Sequence, residues 1–184
     1  MSAPVSGMMN SASPLRLHIG GEIVKDGWKI LNVREMPGVD FIGQAYDLRQ
    51  FADNSVTEIY ASHVYEHLDY VRELPVAWAE ARRVLVPGGR LQFSVPDLQL
   101  IAWLLGSPQM TLEGRWLLVR MIYGGQTNAF DYHKSGFTFQ IAHQMLREVG
   151  FTNIERVDKF DLFEDTSASV FAGFPISLNM RAVK

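Results

Sequence analysis

The sequence predicts an α/β fold: a doubly wound, mostly parallel seven-stranded sheet with an antiparallel hairpin at one edge. Three observations predict it. Apolar runs of strand length alternate with stretches of helical periodicity, the order that yields parallel strands joined through covering helices. Pro87-Gly88-Gly89 stops one helical stretch and opens the next strand. The last two strand-like runs are separated by loop alone, which allows them to pair antiparallel. A length of 184 residues suits one domain, placed at 14–184, with 1–13 read as a disordered tail of small and polar residues.

Residues 15–19 alternate in polarity and end at Gly20-Gly21, a short strand entering a tight turn. Residues 28–33, 39–42 and 56–61 give three more strands, the last entered through the turn formers Asp53-Asn54-Ser55. From 64 to 85, Leu68, Val71, Leu74, Trp78, Ala81 and Leu85 recur at helical spacing, and Pro75 divides the stretch into two helices. Residues 90–95 form a fifth strand. Helices are expected over 97–105, 111–121 and 139–149, the last closed by Gly150, and strands over 153–160 and 176–183. Only about nine residues separate the first strand from the second, fewer than the dozen a helical crossover needs, so the first helix is expected to shrink to a turn.

Composition excludes several functions. Charged residues are 20% and hydrophobic residues 47%, a globular balance. Lys and Arg number 17 against 20 Asp and Glu, a net charge of −3, which argues against a nucleic-acid binder. Cysteine is absent, so disulfide frameworks, thiolate zinc sites, iron–sulfur clusters and cysteine nucleophiles are excluded. No apolar run approaches membrane-spanning length, and no basic residue precedes Arg16, so a cytoplasmic protein with no membrane partner is expected.

Ligands of open α/β sheets bind beyond the carboxyl ends of the strands, which draws attention to Gly20, Gly21, Asn32, Gln44 and His63. The segments Leu17-His-Ile-Gly-Gly-Glu22, Gly27-Trp28, Pro37-Gly-Val-Asp40, Asp53-Asn-Ser-Val56, Ile59-Tyr-Ala-Ser-His-Val-Tyr-Glu-His67 and Arg83-Val-Leu-Val-Pro-Gly-Gly-Arg-Leu91 together resemble class I S-adenosylmethionine-dependent methyltransferases. Gly124-Gly-Gln126, Asp131-Tyr-His133, Gly136-Phe137, Gly150-Phe151 and Ser177-Leu-Asn179 extend the resemblance to small bacterial methyltransferase-like proteins of type 11. The resemblance covers roughly residues 15–184 and implies a Rossmann-like fold and an S-adenosylmethionine cofactor.

In that family a Gly-x-Gly turn approaches the methionine part of the cofactor. Gly20 and Gly21 fit its first two places and Glu22 stands in the third, where a left-handed L-residue would cost roughly 1–2 kcal/mol. Asn32 falls where an acid holds the ribose and Gln44 where an acid meets adenine, with Asp47 near enough to replace either. An amide oxygen still accepts a hydrogen bond but lacks the charge that makes such bonds about twice as strong.

His63-Val-Tyr-Glu66-His67 matches the H-x-x-E-H pattern of inverted zinc proteases, but the sequence places no third ligand, and no metal is expected. Its other readings are a Glu66 that caps or pairs at a helix start with His67 packed beneath the sheet, and a His63 lining the methyl-donor end of the pocket. Asp131 and His133, in a Gly-rich aromatic loop with Tyr123, Gln126 and Tyr132, form the candidate catalytic pair and substrate contacts; they fit equally as turn formers pinning that loop. Trp78, Trp103 and Trp116 fit helical core positions, Arg82-Arg83 a solvated helix end, and Asp158, Asp161, Glu164 and Asp165 a solvated acidic loop.

The resemblance implies methyl transfer to a small molecule or sugar precursor, in a chain able to form a homo-oligomer. The rival expectation is a catalytically degenerate binding or assembly protein that holds the cofactor weakly or not at all. A nicotinamide oxidoreductase stands further off, since 20–25 lacks the third glycine of G-x-G-x-x-G.

Overall fold

The computed structural model describes residues 15–184; the expected tail lies outside them. Seven strands form one sheet: β1 (Leu15–Ile19), β2 (Trp28–Asn32), β3 (Phe41–Ile42), β4 (Val56–Ser62), β5 (Leu85–Pro96), β6 (Thr152–Arg156) and β9 (Ser177–Val183). Their order is β3-β2-β1-β4-β5-β9-β6. The first five pair in parallel. β9 enters between β5 and β6 and is antiparallel to both. The closing hairpin is therefore present, with its second strand inserted and its first at the edge. A two-stranded ribbon, β7 (Val170–Phe171) with β8 (Phe174–Pro175), interrupts the loop between them.

The sheet's two faces follow from alternation along the strands. On one face Leu17, Ile59, Leu91 and Phe93 are fully buried. Against them pack α1 (Glu73–Val84) and α4 (Phe139–Val149). α1 buries Leu74, Ala77, Trp78, Ala81 and Val84, a single stripe at helical spacing. On the other face Trp28, Tyr60 and Phe160 form a separate aromatic cluster with Leu162 and Phe163. The segment after β6 thus covers the area that the shortened first crossover leaves bare: β1 and β2 are joined through residues 20–27, which contain no helix.

The two helices expected from 64 to 85 are a 3-10 turn at Tyr65–His67 followed by α1. Pro75 lies in α1's first turn, where its missing N–H costs nothing, so the break falls before it rather than at it. Pro87-Gly88-Gly89 bulges between two points of register, since Val56 faces Leu85 and Glu58 already faces Arg90. The Asp97 side chain accepts from Leu100 N–H and starts α2 (Leu98–Gly106); Thr111 does the same for Gly114 N–H and α3 (Leu112–Tyr123).

Three expectations are corrected. Trp78 is buried, but Trp103 and Trp116 are 60% and 64% exposed on α2 and α3, because these helices pack on each other with other faces. Arg83 is no free helix end: it holds Glu80, Asp53 and the Leu48 and Phe51 carbonyls, which clamps α1 to the loop before β4. Asp165 is not simply solvated, because it accepts the Tyr60 hydroxyl at 2.8 Å and the Ser167 N–H at 2.9 Å.

Candidate active site

A cavity of about 450 Å³ opens beyond the carboxyl ends of β1, β2 and β4, within the size range of small-molecule sites. The order of β2, β1 and β4 makes this the switch point of the sheet. Gly20, Asn32, Gln44 and His63 line it, as do Asp131 and Tyr132 from the loop after α3. Gly21, Glu22, Asp47, Tyr123, Gln126 and His133 are not on its wall. Residues the sequence did not single out complete the lining, among them Arg34, Tyr46, Glu73 and Lys134. They come from loops and helix starts, where no periodicity marks them.

Each departure from the family pattern has a local cause. Gly20 adopts φ +72°, and its N–H donates to Leu31 O, closing the turn over β2. Gly21 lies on the His18 ring; an added Cβ would stand 2.4 Å from His18 Nδ1. Glu22 is not left-handed, so the expected strain is absent, and its carboxylate is ion-paired with Arg34 at the mouth of the cavity. The Asn32 amide is committed on both sides: Nδ2 donates to Gly21 O and Oδ1 accepts Arg34 N–H, both at 3.0 Å. The Gln44 side chain makes no hydrogen bond within the protein among the described residues and is free to face a ligand. Asp47 is held by Arg49 through two 2.7 Å contacts. That pairing keeps its carboxyl below the usual range, the Arg49 hydrogen bond being the main cause.

At the inner wall stands a cluster of one carboxylate and three imidazoles. His63 follows β4 at φ +53°, a left-handed conformation that costs an L-residue about 1 kcal/mol or more and is retained here. Its Nδ1 lies 2.9 Å from Glu66 Oε1 and its Nε2 lies 3.0 Å from Ser177 Oγ. Glu66 is fully buried. Its burial would raise the carboxyl, yet the hydrogen bond from His63 and the His67 and His133 rings beyond it hold it below its ordinary value. His67 and His133 meet edge to face with centroids 4.8 Å apart. Burial lowers the His133 imidazole, and Glu66 opposes that shift.

Asp131 and His133 do not form the expected pair. The Asp131 carboxylate accepts from Gly125 N–H, Thr127 N–H and Thr127 Oγ1, which folds the loop on itself. His133 turns instead towards Glu66. The loop depends on Gly124, at φ +82°, where a Cβ would lie 2.1 Å from Asp131 O. Gly124→Ala is expected to displace residues 124–134, seen as faster proteolysis within that loop and a lower thermal midpoint. An unchanged digestion pattern would contradict this arrangement.

Comparisons agree with the geometry. Residues 21–93, from the turn after β1 into β5, match the family described as a methyltransferase domain. An S-adenosylmethionine-dependent methyltransferase of Archaeoglobus fulgidus superposes with TM-score 0.60 at 15% identity, covering 93% of this chain and 86% of that one. One from Thermotoga maritima gives 0.54 at 16% identity, with coverage of 92% and 81%. A Haloferax volcanii methyltransferase solved with its activator gives 0.56 at 13%, with 92% and 82%. Among curated proteins no sequence matches. The fold is thus similar to that of these solved methyltransferases, and residues 21–93 are similar to a methyltransferase domain.

Proposed function

We propose that this chain is an S-adenosylmethionine-dependent methyltransferase for a small molecule, with a sugar precursor as one acceptor class. The observation that carries the reading is the cavity at the switch point, lined by Gly20, Asn32 and Gln44 at the three strand ends where the family holds its cofactor. The residues fit that group in size and in hydrogen-bonding kind. The Gln44 amide is free for adenine. Asn32 Oδ1 keeps one lone pair for a ribose hydroxyl, since Arg34 N–H occupies only the other. Gly20 presents backbone without a side chain. Glu22, already paired with Arg34, no longer stands as a lone charge against the cofactor.

Bound there, the cofactor supplies an electrophilic methyl group on a sulfonium. The protein's own part is orientation and removal of a proton from a hydroxyl or amine acceptor. His63 and His67 present imidazoles to the cavity, with Glu66 and His133 behind them. Tyr132 and Asp131 form the loop-side wall, and the exposed Tyr123 and Gln126 lie further out. Trp103 and Trp116, exposed on α2 and α3, suit self-association. No helix among the described residues is long and apolar enough to cross a membrane.

The second reading, a degenerate binding protein, is favoured by the Asn32 amide. Two internal hydrogen bonds consume most of its capacity, and it carries no charge. Isothermal titration with S-adenosylmethionine separates the two. Micromolar binding is expected and would overturn the degenerate reading; no heat at millimolar cofactor would overturn the catalytic one.

A further inference from the structure

The imidazoles around Glu66 have already used their protons. His67 Nδ1 lies 3.1 Å from Tyr132 O, and His133 Nδ1 lies 3.0 Å from Met121 O. A carbonyl oxygen only accepts, so each Nδ1 carries its ring's proton and each Nε2 is left with a lone pair. The same reasoning extends to His63. The Ser177 hydroxyl gives its proton to Thr166 O at 3.0 Å, so it accepts from His63 Nε2–H, and His63 Nδ1 stands 2.9 Å from Glu66 Oε1. His67 and His133 therefore turn lone pairs, not protons, towards Glu66, whose one close contact is His63 Nδ1 on Oε1. Both Glu66 oxygens are buried, and Oε2 finds no hydrogen-bond partner among the described residues. A buried carboxylate oxygen with no partner is unfavourable, and a cation set between it and the His67 and His133 lone pairs relieves it.

We propose that Glu66, His67 and His133 bind a divalent transition-metal ion at the inner wall of the cavity. One donor atom from each of the three lies within 4.8 Å of the others. Zinc holds nitrogen and oxygen ligands at about 2.0–2.2 Å in a tetrahedron, so its donors stand ~3.4 Å apart, and closure asks them to draw together by up to about 1.4 Å, within the reach of side-chain rotation. The outer hydrogen bonds to Tyr132 O and Met121 O are the supports that orient imidazole ligands at such centres. Two imidazoles and one carboxylate leave a coordination position open, the mark of a reactive rather than a structural ion. His67 lines the cavity, so that position is set where an acceptor's oxygen or nitrogen could reach it. The third ligand comes from His133, 66 positions along the chain from His67, because the Ser135 hydroxyl and the Lys134 and Ser135 N–H groups tie this loop to the 65–68 turn.

The test uses the untagged full chain and zinc alone, and so does not depend on methyl transfer. One zinc per chain is expected after loading and desalting, with visible d–d absorption when cobalt(II) replaces it. His67→Gln and His133→Gln should each lower zinc affinity at least 100-fold, while His143→Gln on α4 leaves it unchanged. Glu66→Gln carries the sharpest contrast: it should weaken zinc binding and raise the thermal midpoint of the metal-free chain, because it removes a buried uncompensated charge. No stoichiometric zinc and no cobalt absorption in the wild-type chain would overturn the site. Equal affinity in the His67 and His133 variants, or a Glu66→Gln chain that is less stable without metal and binds zinc as before, would overturn it too.

Discussion

Acidification from pH 7 to 4 is expected to cost the folded state about 3 kcal/mol through His18 alone, and His18→Phe should abolish that part of the loss. His18 points into the aromatic cluster of the second sheet face, 4.1 Å between centroids from Phe163 and 5.2 Å from Tyr60. It is 4% exposed and its Nδ1 has no partner among the described residues. Burial brings its pKa from 6.5 down to about 4, against a weaker opposing pull from Asp165. The unfolded chain therefore takes up a proton near 6.5 while the folded one resists until about 4. Stability is complete above the unfolded value and drains away as pH falls through that window. A gap of about two and a half pH units is worth roughly 3 kcal/mol at ~1.36 kcal/mol per unit. Urea unfolding of both proteins at pH 7, 5.5 and 4 isolates His18, because every other group titrates alike in the pair. Parallel curves for the two proteins would refute the assignment.

The same ring shows what the sequence made legible and what it did not. Strand alternation locates β1, and the Gly20-Gly21 turn follows from residue type. The demand His18 makes on Gly21 is invisible until the strand is given its faces and its neighbours. Tertiary contacts also decide the outcome at Trp103 and Trp116. Their spacing fits a core stripe, but α2 and α3 meet through Ile101, Leu104 and Leu118, and the tryptophans fall outside. Helical periodicity from 64 to 85 survives only from Glu73, because the Tyr65 side chain is drawn into the sheet's core and Glu66 into the histidine cluster.

The candidate site was legible where it depends on the order of strands, and hidden where it depends on loops. Gly20, Asn32, Gln44 and His63 gather in one cavity because each follows a strand of known place in the sheet. H-x-x-E-H supplied Glu66 and two of the imidazoles, but the rings are not paired as on a helix, since the segment is a single 3-10 turn. His133 joins them across a long stretch of chain. Its partner in sequence, Asp131, is spent on its own loop, so adjacency was a poor guide to the carboxylate it faces.

Asn32→Asp looks like a return to the family's charged ribose contact, and it is expected to destabilise the protein by about 3 kcal/mol at pH 7 instead. Asn32 is 5% exposed, and its Nδ2 is the donor that satisfies Gly21 O. An aspartate keeps the bond from Arg34 N–H but sets a buried negative oxygen against that carbonyl. Breaking a buried polar tie while leaving a charge uncompensated costs about 3–5 kcal/mol in comparable cases. The variant carboxyl is thereby raised, since its protonated form alone can donate to Gly21 O. The deficit relative to wild type should accordingly be greatest at pH 7 and narrow as pH falls through the raised value. Ribose hydroxyls would relieve the same charge, so millimolar S-adenosylmethionine should stabilise Asn32→Asp more than wild type. Urea midpoints for both proteins at two pH values, with and without cofactor, read all three effects. A variant as stable as wild type at pH 7 would mean that the amide does not tie the turns after β1 and β2. A variant deficit that cofactor leaves untouched would move the ribose away from this residue. Either way the amide at position 32 is explained by what it does for the short first crossover: with no helix to hold β1 against β2, a neutral donor and acceptor at the strand end joins the two turns that frame the cavity.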